Sequence, residues 1–404
     1  MINLRKSGHI LYVSSVDISI GNGPGVNERE FILALYREIK DRAHFLIPQP
    51  AHEIAELPDN VCTFSAGHQE HNPRYFPGHV LSTMRLADQI LTSRHFDLLV
   101  FRLDLMPFAP LKIIKKHNIP FALKTLGQGQ MKAIKERFGW PLGSALARVN
   151  QHLVQQLVKN AIAVDTVSEM QLHYLQQMLD IEPDTIICID NAVNTKRFFP
   201  TSTSAARNEL GLNQFEPIIG YIGNHAAHKR GGAQLIEVVP MLLEKYPNLG
   251  VVILGDINGS QSLIDLAHNL EIEEHCVFTG YVPFHQVPTY VNALDVGISL
   301  LAPKFYGQSE LKVRQYVACG KPVIATMPGS NDFLFSEDLG SLVQYDDINS
   351  IAMEVDRWLS LTENDQLRFS ARSFQYAQDH LSVEQSLAKR IALWNERINL
   401  FAYT

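Results

Sequence analysis

Short, continuously apolar runs alternate with helical patterns along almost the whole chain. The runs are HILYV (9–13), FLIP (45–48), DLLVF (97–101), PFALKTL (120–126), AIAVDTV (161–167) and TIICI (185–189), then PIIGYIG (217–223), VVILG (251–255), VGISLL (296–301) and PVIAT (322–326). Runs without polar alternation are what a parallel sheet produces when helices cover both its faces. Helical stretches such as Gly232–Lys245 and Ile348–Leu361 fall between or after them. This grammar predicts an α/β protein with doubly wound, Rossmann-like sheets.

One stretch interrupts it. Residues 191–217 are polar, carry Pro200 and Pro217, and precede a new strand directly. A domain break here gives residues 1–200 as one Rossmann-like domain and 201–375 as a second, with 376–404 as helices added after the second sheet is complete.

The length of 404 residues and a hydrophobic share of 46% allow two sizeable cores. A net charge of −7 argues against a nucleic-acid partner held by bulk charge. Cys62, Cys188, Cys276 and Cys319 form no CxxC pair and read as buried small hydrophobes. No apolar stretch is long enough to span a bilayer, so the expected location is cytoplasmic, with peripheral contact at the inner face of a membrane left open.

Four loops carry candidate chemistry. In GNGPGVNERE (21–30), Gly23 and Gly25 let backbone approach a ligand, and Asn27 with Glu30 has capping-box spacing. In YIGNHAAHKRGG (221–232), Lys229 and Arg230 stand just before a predicted helix start, as a diphosphate site requires; His225 and His228 have no partner for a metal. VVILGD ends on Gly255 and Asp256. In SELKVRQYVACGKPVIAT (309–326), Ser309 is a plausible N-cap with Glu310 in the first turn, Lys312 and Gln315 share a face, and Gly320 suits a helix stop. A plain turn or a solvated helix face is the alternative for each taken singly. No Walker P-loop, Asp-x-Asp, GxSxG or HExxH occurs.

Taken in order, these phrases resemble the GT-B glycosyltransferases, in particular glycosyltransferase family 4 (group 1). GNGPGVNERE resembles that family's first loop, and NAVNTKRF (191–198) and DTVSE (165–169) are similar to its phrases in the first domain. YIGNHAAHKRGG, FTGYVPFHQVPTYVNALDVGISLL (278–301) and SELKVRQYVACGKPVIAT follow in family order. The resemblance covers nearly the whole chain. It implies a C-terminal helix returning to the N-terminal domain. It also implies retaining transfer from an NDP-sugar, UDP- or GDP-linked, to a glycan, lipid-linked or small-molecule acceptor, with no cofactor and no essential metal.

Carried over, Lys229, Arg230 and Lys312 would stabilise the leaving diphosphate. Gly23, Gly25, Asn224, Gly255, Tyr281, Val282, Ser309, Glu310, Leu311 and Gln315 would line the donor. Arg102, Asp104 and Lys124 are candidates on the acceptor side. The family's Glu pair is replaced by Gly307 and Gln315, the Arg of its "GR" phrase by Asn224, and its N-terminal His by Gly127. These departures keep two alternatives open: a non-catalytic GT-B scaffold or partner protein, and a sugar-nucleotide epimerase of the same architecture. Lys132, Lys135, Arg137 and Trp140 in MKAIKERFGWPLGSALARV (131–149) suggest a helix that docks on anionic lipid, with a solvated charged helix as the alternative.

Overall fold

A computed structural model describes residues 3–54, 57–64, 76–102, 108–124, 134–135, 138–179, 186–223, 231–255, 261–303, 308–326 and 331–401. The chain forms two compact units: residues 1–190 together with 386–404, and residues 191–385. The divisions fall at Asp190/Asn191 and Gln385/Ser386, where composition suggested 200/201 and 375/376.

The first unit is built on strands β1 (Ile10–Val13), β2 (Ala43–Pro48), β3 (Val61–Phe64), β4 (Leu98–Arg102), β5 (Phe121–Lys124), β6 (Ala163–Thr166) and β7 (Ile186–Cys188). They pair in the order β3-β2-β1-β4-β5-β6-β7, all in parallel. The second unit has β8 (Ile218–Ile222), β9 (Gly250–Leu254), β10 (Cys276–Gly280), β11 (Val296–Ser299), β12 (Val323–Thr326) and β13 (Gly340–Val343). Their order is β10-β9-β8-β11-β12-β13, again parallel. Both sheets are therefore doubly wound, as the apolar runs predict.

The apolar-run test missed β3, β10 and β13. All three are edge strands, where one side lacks a neighbour and the residues need not be apolar throughout; β3 is half exposed and β10 only partly buried. The same edge corrects the cysteine reading: Cys62, on β3, is exposed, and of the four only Cys319 is buried. The predicted helix Gly232–Lys245 is broken into Gly232–Glu237 and Val239–Leu243, because Pro240 cannot donate inside a continuous helix.

The polar segment after residue 190 is not a loose linker. Phe198 is buried in the second core, and Val193 bonds the backbone of Leu381 and Val383. The C-terminal helix Val383–Phe401 returns to the first unit. There Arg390 donates to Asp165 of β6 at 2.7 Å, Asn395 accepts from the Leu4 amide, and Trp394 is buried.

Candidate functional site

In a doubly wound sheet, ligands bind outside the carboxyl ends of the strands where the strand order reverses. Those points are β1/β4 in the first unit and β8/β11 in the second.

The second unit's switch point receives the helix Leu311–Ala318, which follows β11. The structure shifts the expected cap by one residue: Glu310, in an extended conformation, holds the N-cap position, not Ser309, and its side chain makes no capping bond. The reason lies in tertiary contacts. The Glu310 carboxylate turns inward, accepts from Ser299 Oγ at the end of β11, and lies 3.1 Å from Lys312 Nζ. Lys312 Nζ also sits 4.0 Å from the centroid of the Tyr221 ring on β8. Lys312 is only 8% exposed. The two charges meet at ion-pair distance but off hydrogen-bond alignment, so Lys312 Nζ and Glu310 Oε1 are both buried without a hydrogen-bond partner. A buried ammonium with unused N–H groups favours an anionic oxygen, and the first helical amides present the same polarity.

Two residues that sequence reasoning did not single out hold this helix in place. Arg314 is fully buried and donates to Asn331 Oδ1 and to the Glu310 carbonyl. Tyr316 Oη accepts from the Ile222 amide, fixing the helix to the end of β8. Gln315, on the Lys312 side of the helix by spacing, is 5% exposed. Gly320 ends the helix with φ +70°, as its position in ACGKP predicts.

At the neighbouring strand ends, the Gly255 amide donates to Gly280 O, which brings the ends of β9 and β10 together. Tyr281 follows Gly280 and is exposed, while Val282 packs partly into the core. Ser309 and Leu311 flank Glu310 and are half-buried. Asn224, Lys229, Arg230, Asp256, Gly307 and Asp104 lie outside the described residues, as do His225, His228, Gly127, Lys132 and Arg137.

In the first unit, the opening helix runs Gly23–Ile39, with Asn22 as N-cap accepting from the Gly25 amide. The expected capping box of Asn27 and Glu30 is overturned: both residues lie inside the helix, which Pro24 and the Asn22 cap start earlier. A Cβ on Gly25 would come within 2.3 Å of Ile20 O, so the loop and helix can close only on glycine. Gly23 has open space around it.

The early start places Glu28 on the helix's buried stripe, with Phe31, Ile32 and Leu35. Glu28 is fully buried. Tyr12 Oη donates to its Oε1; Arg102 Nη1, at 2.6 Å, and Lys124 Nζ, at 2.9 Å, both donate to its Oε2. The structure thus brings two of the three acceptor-side candidates, Arg102 and Lys124, together on one carboxylate. Tyr12, Arg102, Lys124 and Asp165 share a sheet face by register. Burial pushes the Glu28 carboxyl up, but Lys124, Arg102 and the Tyr12 hydroxyl outweigh it and hold it at about 2. Burial pushes the Lys124 ammonium down, offset only in part by Glu28, to about 8. Lys124 is 2% exposed, so its visible work is to fix the first helix and the glycine loop before it. Among the described residues, no group of three or more His, Cys, Asp or Glu is placed to hold a metal ion.

Residues 202–375, almost all of the second unit, match the model of the family described as glycosyl transferases group 1. The chain has the GT-B fold, and its second unit is related to that family. Among curated proteins, the chain is 28% identical over 259 residues to a D-inositol 3-phosphate glycosyltransferase of Corynebacterium glutamicum, across 60% of this chain and 59% of that one. It is 22% identical over 236 residues to a 2-deoxystreptamine glucosyltransferase of Streptomyces kanamyceticus, across 58% and 59% of the two chains. The match spans less than two thirds of those relatives' length. Among solved structures, sucrose-phosphate synthase from Thermosynechococcus elongatus aligns with a TM-score of 0.76 over 98% of this chain and all of that one, at 18% identity. HepE of Anabaena in complex with UDP-glucose aligns with a TM-score of 0.67 over 96% and 100%, also at 18% identity. At such identity, likeness to a solved structure establishes the GT-B fold and nothing finer.

Proposed function

We propose that the chain is a retaining glycosyltransferase that takes a sugar from an NDP-sugar, UDP- or GDP-linked, and passes it to a hydroxyl of a glycan, lipid-linked or small-molecule acceptor. The observation that carries this reading is the buried, hydrogen-bond-deficient Lys312 ammonium at the second unit's switch point, inside the segment that matches the family. As the sugar leaves, negative charge grows on the diphosphate. Lys312, the amides of Ser309, Glu310 and Leu311, and by resemblance Lys229 and Arg230, would stabilise that charge. The leaving diphosphate would accept the acceptor proton, so no enzyme nucleophile is required. Gln315 and Asn224 would bond neutral donor groups, and the β9/β10 ends at Gly255, Tyr281 and Val282 would receive the base. The named relatives act on D-inositol 3-phosphate and 2-deoxystreptamine, which supports a small hydroxylated acceptor.

The test is thermal shift with UDP, GDP and ADP, followed by mass analysis of products from the matching NDP-sugars. A shift with one nucleotide, lost in Lys312→Ala, together with donor turnover, is expected. No shift with any of the three would defeat the donor assignment. Gln315 at the family's carboxylate position supports the rival reading, a non-catalytic scaffold; binding without hydrolysis or transfer would favour it.

A further inference from the structure

The helix Leu142–Asn160 buries Ala147, Val154, Leu157 and Val158 against the first core. A second apolar stripe faces outward. Leu142, Leu146 and Val149, at i, i+4 and i+7, are exposed, and Trp140, just before the helix, is 87% exposed. Four large apolar side chains on one short ridge are costly in water unless something covers them.

Charge indicates what that is. Residues 131–160 contain Lys132, Lys135, Arg137, Arg148 and Lys159 against a single acid, Glu136, in a chain whose net charge is −7. On the opposite flank of the helix from the stripe, between it and Glu169–Leu179, lies a cleft of about 300 Å³ with Lys135, Arg148 and Tyr174 in its wall. It combines two cations and a phenol at a scale that suits a phosphate headgroup.

We propose that this face docks on an anionic phospholipid surface. Trp140, Leu142, Leu146 and Val149 enter the interfacial layer, and Lys135 and Arg148 meet lipid phosphate. Amphipathic interfacial helices pair these two groups in the same way: apolar residues for depth, cations for the headgroups, and Trp at the boundary. The inference is independent of donor chemistry, which the nucleotide-induced thermal shift reads separately.

The test is flotation of the full chain with phosphatidylcholine vesicles, with and without roughly one third phosphatidylglycerol. Wild type is expected to float with the anionic vesicles and not with the neutral ones. Leu146→Asp/Val149→Asp and, separately, Lys135→Glu/Arg148→Glu are each expected to weaken binding at least tenfold while melting as wild type does, because all four residues are at the surface. Absence of flotation with anionic vesicles, or full binding by the apolar double variant, would overturn the proposal. So would concentration-dependent dimerisation that the apolar variant abolishes, since the face would then serve a second copy of the chain.

Discussion

Glu28→Gln is the sharpest perturbation of the first unit. The change keeps shape but removes the charge that Arg102 and Lys124 share. Arg102 keeps some access to solvent, but Lys124 is buried, so its ammonium is stranded. Breaking a buried pair in this way costs about 3–5 kcal/mol. For a unit of this size, that lowers the melting temperature by roughly 10 °C. The pH dependence gives an independent figure. The Glu28 carboxyl lies at about 2 in the folded protein against an ordinary 4.5, so the unfolded chain binds the proton first. Its contribution, about 3 kcal/mol, is complete above pH 4.5 and is lost as the pH falls through 2. Calorimetry across that window should show a shallower slope in Glu28→Gln than in wild type, the difference being the Glu28 contribution. Adding Lys124→Met removes the stranded charge and should recover about half of the loss. A loss below about 1 kcal/mol, or no recovery in the double variant, would refute the view that Glu28 is the anchor of this cluster.

Three further outcomes are expected. Asp165→Asn leaves Arg390 buried without its carboxylate; it should cost about 3 kcal/mol and make the C-terminal helix cleavable in limited proteolysis before the rest of the first unit. Gly320→Ala forces a Cβ to within 2.0 Å of Ser370 Oγ at φ +70°; the second unit should melt earlier by more than about 1 kcal/mol, read in a denaturant titration. Gln315→Glu restores a carboxylate beside Lys312 on the helix; nucleotide-sugar affinity, by calorimetry, should be equal or up to about tenfold tighter, and markedly weaker binding would remove Gln315 from the donor site.

What was legible in the sequence was local or periodic. The strands buried on both faces announced themselves as unbroken apolar runs, and PVIAT and PIIGYIG became β12 and β8. Gly320 stops its helix where a residue with positive φ is required. The order of phrases was enough to point to the GT-B fold. Edge strands β3, β10 and β13 escaped because a strand with one open side need not be apolar throughout. Glu28 was within reach, as a carboxylate on the stripe shared with Phe31, Ile32 and Leu35, but the capping-box spacing at Asn27 puts it at the helix end, where a solvated acid is ordinary.

The tertiary structure alone decided which charges meet. Glu28 finds Lys124, Asp165 finds Arg390, and Glu310 turns from the helix amides toward Ser299 and Lys312. The first two pairs are far apart in sequence and leave no spacing to read. The third lies in one short segment, yet its geometry depends on where β11 ends against the helix. Burial makes these pairings obligatory, since an ionised group removed from water must be matched by whichever partner the sheet order brings to it.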